Sequence, residues 1–204
     1  MRHAVATRHH FKREKDKKMK KILLQAGVLS LIFATSAFAH NVQLNQALPA
    51  VNVSEDGEIL AKSTDIVYQS WSSARLAGKV RVVQHIAGRS SVKEKNEALM
   101  SALKAANFDR AKYHTTTIIN ADDAIVATGP FVKSSAEKGK QENPHSQVVL
   151  DQTSSVKNAW QLKEKESFIA VLDKNGKVQF AAEGKLSPAQ IQQVIDLVKG
   201  LIAQ

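Results

Sequence analysis

Residues 79–95, KVRVVQHIAGRSSVKEK, constrain the chain more than any other stretch. Val80 to Ala87 is a nearly continuous apolar, β-branched run in which Gln84 and His85 stand out, the composition of a strand covered on both faces of a parallel or mixed sheet. Gly88 permits a tight turn. Ser90 or Ser91 then caps a helix whose apolar side is Val92, Leu99, Ala102, Leu103 and Ala106, ending near Asn107. In an open α/β sheet, ligands meet the chain at the carboxyl ends of strands, where the free N–H groups of a following helix favour anions. His85, Gly88, Arg89, Ser90, Ser91 and Lys93 are therefore the first candidate ligand-binding residues.

A length of 204 residues suits one domain with a single core. The formal charge of +10 reads at first as that of a nucleic-acid binder, but its placement undoes the impression. Residues 1–39 hold nine Lys/Arg against two acids, and the remainder has 20 basic and 17 acidic side chains, or +3. A domain at +3 has no need of a phosphate backbone, so no nucleic-acid partner is expected.

Residues 19–39, MKKILLQAGVLSLIFATSAFA, carry two lysines, an apolar segment from Ile22 to Phe33, and Ala37-Phe38-Ala39 in the small-x-small cleavage pattern. This is the pattern of a secretory signal peptide, with Met19 as its natural start and residues 1–18 as an upstream extension from a mis-chosen start codon. Residues 40–204 form the expected single domain. No later stretch reaches the roughly 18 apolar residues a membrane helix needs. The chain has no cysteine, which excludes disulfides, thiol redox catalysis, cysteine nucleophiles and Cys-based zinc sites.

The rest of the chain supplies an ordered set of elements. Residues 41–60 read as an N-terminal hairpin or edge-strand pair turning at Ser54-Glu55-Asp56-Gly57, followed by a short extended piece at Ile66-Val67-Tyr68. Tyr113 to Asn120 fits a second strand, parallel to the first through a right-handed crossover. Gly129-Pro130 opens a surface helix over residues 131–142, with Lys133, Glu137, Lys138, Lys140 and Glu142 on its solvated face. Ser146 to Asp151 is a third strand, and Val156 to Trp160 a helical turn or two. Ser167–Leu172 and Lys177–Ala182 flank Asp173-Lys174-Asn175-Gly176, where Asn-Gly predicts a type I′ hairpin. Ser187-Pro188 starts a last helix with Ile191, Val194, Ile195, Val198, Leu201 and Ile202 on one face.

A βαβ unit followed by a β-hairpin and a closing helix is the order of the thioredoxin fold. The fold class is α/β: a thioredoxin-like three-layer sandwich with a central mixed sheet, an N-terminal hairpin, and an inserted helix and strand as in peroxiredoxin-like proteins. KVRVVQHIAGR at 79–89, KEKN at 93–96, TTTI at 115–118, DDAI at 122–125, AWQL at 159–162 and VLDKNGKVQ at 171–179 resemble the YtfJ family of small periplasmic proteins of Gram-negative bacteria. That resemblance covers nearly all of 40–204. It implies a periplasmic, thioredoxin-like domain and transfers no activity.

In an ungapped comparison, the redox Cys-x-x-Cys of thioredoxin-like proteins falls at about Ser90-Ser91-Val92-Lys93, and the cis-proline beside it near Ser167, where Leu162 to Phe168 contains no proline. Both signatures are missing, so no thiol oxidoreductase is expected. Ser90-x-x-Lys93 matches the serine–lysine pair of penicillin-interacting enzymes, but the same letters recur at Ser154 to Lys157 and no Lys-Thr-Gly follows. Arg89, the Ser90 and Ser91 N–H groups and His85 instead make a candidate anion site. Asp122 and Asp123 offer hard oxygen ligands to a divalent cation. Cleavage after Ala39 gives His40 a free α-amine, which together with an imidazole nitrogen chelates Cu(II), provided His85, His114 or His145 adds a further donor.

The sequence calls for no cofactor. The expected partner is a protein, a peptide or a small anionic ligand, bound at the Gly88 to Lys93 end of the sheet. A metal-handling or hydrolytic enzyme at the same sheet end is the alternative, and a nucleic-acid-binding regulator is the last.

Overall fold

The structure, a computed structural model, describes residues 40–62 and 65–204; the expected signal peptide, cleavage point and upstream extension lie outside the described residues. The strands are β1 (Asn52–Lys62), β2 (Asp65–Ser72), β3 (Val80–Ala87), β4 (Tyr113–Asn120), β5 (Gln147–Asp151), β6 (Ser167–Leu172) and β7 (Val178–Glu183). The helices are α1 (Ser90–Lys95), α2 (Glu97–Ala106), α3 (Gly129–Glu142), α4 (Ser155–Trp160) and α5 (Pro188–Ile202). All seven strands join one sheet in the order β2-β1-β5-β4-β3-β6-β7. β3, β4 and β5 run parallel, and the flanking pairs are antiparallel. The βαβ crossover, the inserted α3–β5 unit and the C-terminal hairpin and helix stand as the sequence predicts, and the fold is thioredoxin-like.

β3 is buried along its whole length because helices cover both of its faces. On one face Val82, Ile169 and Val171 pack beneath Leu99 and Leu103 of α2 and Val194 and Val198 of α5. On the other, Val83, Ile118 and Phe168 pack beneath Val156 and Trp160 of α4 and Val42 and Leu48 of the N-terminal segment. That segment is pinned by the Trp160 indole N–H, which donates to the Pro49 carbonyl at 2.9 Å. Ser187 and Gln190 form a reciprocal capping box at the start of α5.

Four local expectations are corrected by the structure. Ser54 to Gly57 is an irregularity inside β1 and not a hairpin turn: the register shifts between Val53 and Glu58, Gly57 lies at φ +74°, and the hairpin joins β1 to β2. The helix after β3 is two helices, and no serine caps it; Arg89 occupies the N-cap position without a side-chain bond. The break falls at Asn96, whose buried amide donates to Gln84 Oε1 at 3.1 Å, while Gln84 Nε2 donates to Thr117 Oγ1 at 2.8 Å. Lys140 does not lie on the solvated face of α3. It folds under the helix end, where Nζ donates to the carbonyls of Pro144 (3.0 Å) and Ser146 (2.6 Å). The β6–β7 turn has only Gly176 at positive φ, with the Gly176 N–H bonded to the Asp173 carbonyl and the Asp173 carboxylate accepting from the Asn175 and Lys177 N–H groups. It is an ordinary turn closed by a left-handed glycine, because Asp173 rewards that geometry over type I′.

Candidate functional site

The carboxyl ends of β3 and β4 meet at a narrow turn. The Gly88 N–H donates to the Asn120 carbonyl at 2.8 Å. A Cβ on Gly88 would sit 3.0 Å from that carbonyl and 3.3 Å from Ala124 and Val132 side chains, so the β3–α1 turn is packed directly against the β4–α3 loop. Arg89 crosses the seam: its Nε donates to the Asp123 carbonyl at 2.9 Å and its Nη2 lies 3.6 Å from the Asp123 carboxylate. The second Asp123 oxygen accepts the Lys165 N–H at 2.5 Å, tying the loop before β6 to the same place. Arg89 is thus compensated within the chain.

The other predicted residues divide around this seam. Ser90, Ser91 and Lys93 are exposed at the start of α1, and no hydrogen bond joins Ser90 to Lys93, so the serine–lysine pair is not assembled. Asp122 turns away from Asp123 and accepts from the Ser154 hydroxyl at 2.7 Å. The two aspartates therefore serve different partners. Among the described residues no three His, Asp or Glu side chains come together as a metal cage. Buried Ser167, at the start of β6, donates its hydroxyl to the Gly184 carbonyl at 3.1 Å. Beside it, burial opposes the charge of Glu166, but a 2.5 Å bond from Lys95 and the Ser167 N–H outweigh it and hold that carboxyl below its usual range.

His85 lies beneath the seam, on the sheet face covered by α4. It is fully buried, and burial pushes its imidazole down to about 4, against the opposing pull of Asp151 and Asp123 and with a small contribution from Lys157. It is neutral at physiological pH, and its Nε2 has no hydrogen-bond partner. His40 stands on the same face with its ring edge-on to Phe168, 5.2 Å between centroids.

Two polar clusters were not anticipated. At the carboxyl end, Asp151 accepts from the N–H groups of Thr153 (3.1 Å), Ser155 (3.1 Å) and Val156 (2.8 Å) and so caps α4. Ser154, left-handed at φ +54°, accepts from the Asn120 side-chain amide at 3.1 Å while its own proton goes to Asp122. The run Asp151-Gln152-Thr153-Ser154-Ser155 was the available sign, since such residues cap helices. At the opposite end of the sheet, Arg81 is buried and donates to His114 Nδ1 (2.9 Å), Thr116 (2.7 Å), Gln147 (3.3 Å) and the Leu76 carbonyl (2.9 Å). Gln147 passes the contact to Glu58, which also holds Arg75 at 2.6 Å. Burial, then Arg81, pushes the His114 imidazole down. A lone arginine in an apolar strand was the only sequence sign of this network.

Apolar side chains rim the seam on the solvent side. Ile125 and Val126 in the β4–α3 loop are 55% and 93% exposed, and Phe131 in the first turn of α3 is 76% exposed. Large apolar residues exposed together mark an interaction surface more often than isolated ones do.

Fold and site together define a cysteine-free, thioredoxin-like domain. Residues 42–201 match the family described as "Bacterial protein of unknown function (YtfJ_HI0045)". An uncharacterised protein of Haemophilus influenzae is 62% identical over 183 residues, covering 90% of this chain and 99% of its own length. The uncharacterised protein YtfJ of Escherichia coli K12 is 45% identical over 172 residues, covering 84% and 94%. The chain belongs to the YtfJ family. Among solved structures, a candidate protein disulfide isomerase of Bacteroides thetaiotaomicron superposes with a TM-score of 0.57 at 13% identity, covering 81% of this chain and 93% of that one. A thiol-disulfide isomerase of Corynebacterium glutamicum gives 0.52 at 16%, covering 80% and 98%. At such identities the likeness concerns the fold alone.

Proposed function

We propose that the chain is exported to the periplasm on residues 19–39, is cleaved after Ala39, and works there as a non-redox binding module that takes a protein segment at the carboxyl end of its sheet. The observation that carries this reading is the exposed apolar set Ile125, Val126 and Phe131 beside the Gly88–Arg89 turn. Arg89 is engaged by Asp123, which favours a peptide or protein over a small anion. Thiol chemistry has no atom to use, since the chain holds no cysteine.

The test is an amide NMR titration of the chain from His40 to Gln204. Short apolar peptides and inorganic phosphate are added separately. Saturable shifts at Ala124–Phe131 with peptide, abolished by Val126→Glu, are the expected result. Shifts confined to Ser90 and Ser91 with phosphate would move the reading to a small anion, and silence of the whole sheet end with both probes would refute it.

A further inference from the structure

Two buried histidines lie on the face of the sheet that carries Phe168. Phe168 is the antiparallel partner of His85, so their side chains leave the sheet side by side on the same face. His40 reaches that ring from the N-terminal segment, edge-on at 78°. The segment is anchored: the Asn41 N–H donates to the Trp160 carbonyl at 3.2 Å, its side-chain amide donates to the Ala159 carbonyl at 3.0 Å, and Val42 is buried. The remaining candidate donors are elsewhere. His114 belongs to the Arg81 network at the opposite end of the sheet, and His145 is exposed just before β5.

His85 Nε2 is the independent sign of a ligand. A buried imidazole nitrogen without a partner forfeits about 1–3 kcal/mol, and such groups in native proteins call for an explanation. We propose that the processed chain binds Cu(II) through three nitrogens: the α-amine of His40, the His40 imidazole and the His85 imidazole. The inference rests on the cleavage after Ala39 proposed above.

Chemistry favours this metal. Amine and imidazole nitrogens suit Cu(II), which stands highest among first-row divalent ions for such donors and accepts a planar arrangement with positions left open. An amino-terminal histidine closes a six-membered chelate through its own amine and ring. The acidic side chains facing His85, Asp151 and Asp123, favour a cation, and Lys157 opposes one. The third donor is not a side chain. It comes into being when the peptide bond before His40 is cut, because an amide nitrogen there is no amine.

Copper(II) sulfate is the probe, at pH 7.5, with pulsed EPR used to count coordinated imidazoles. Three proteins are compared: the chain beginning at His40, the chain beginning at Ser36, and His85→Gln in the His40 form. Four added residues remove the His40 amine and place histidine too deep for an amino-terminal x-x-His chelate. The His40 form is expected to bind one equivalent with two imidazoles. The Ser36 form should bind about 100-fold more weakly or worse, since losing a donor costs at least as much as the roughly 10–100-fold lost with an orienting partner. His85→Gln should retain one imidazole, its folding checked by circular dichroism. A single imidazole in the unmutated His40 form, or equal affinity in the Ser36 form, overturns the copper site. The intact mass of the exported full-length chain tests the processing step separately. A mature mass starting elsewhere than His40 overturns the inference at that step, whatever the titration gives.

Discussion

His85 is neutral in the folded chain because it is buried, and this makes stability depend on pH. Its imidazole titrates at about 4 when folded and near the ordinary 6.5 when unfolded. Between those values the unfolded chain binds more protons, so stability is full above 6.5 and falls as pH drops toward 4. The contribution at stake is roughly 3 kcal/mol on the scale of 1.36 kcal/mol per pKa unit. Urea unfolding at pH 7.5, 6 and 4.5 should show the decline, and His85→Gln should flatten it in part. His114, also pushed down, adds in the same sense, as do the lowered carboxyls of Glu166 and Asp56 toward the acid end.

Among the elements, α4 is short and depends on its cap. Asp151 supplies acceptors for three N–H groups, and α4 in turn carries Val156 and Trp160 into the core and holds Asn41 through the Trp160 carbonyl. Asp151→Ala should cost about 2–3 kcal/mol, a lost cap together with unsatisfied donors. Hydrogen exchange should quicken at 155–160 and at Asn41 together. Elements with local signals were legible in the sequence: the β3–Gly88 turn, the β6–β7 hairpin and the capped α5 each carry their own residues. What depended on distant partners was not. The break at Asn96 needs Gln84 on β3, and the irregularity in β1 needs β5 beside it. The candidate site divides in the same way. Its position at the sheet end followed from Gly88, whereas the pairing of Arg89 with Asp123 and the link of Ser154 to Asn120 and Asp122 follow only from loops meeting in space.

At the scale of the molecule, the charge balance bears on partners. The part from His40 onward carries +3 of the +10, so at about 150 mM salt it should show no retained binding to duplex DNA, where counterion release weakens even strongly basic proteins. Salt-steep retention of that form on a DNA column would bring back a nucleic-acid role.

The sheet order also dictates when the chain can finish folding. β1 finds β2 at once, but its other edge pairs with β5, as Asp56 does with Asp151, and β3 waits for β6, as Arg81 does for Leu172. Contacts so far apart in sequence are closed late and slowly. A chain emerging amino end first therefore holds only the β1–β2 hairpin and the β3–α1–α2–β4 unit, with no strand between them, until its last third has appeared, and the single sheet that joins them closes only near the end of synthesis.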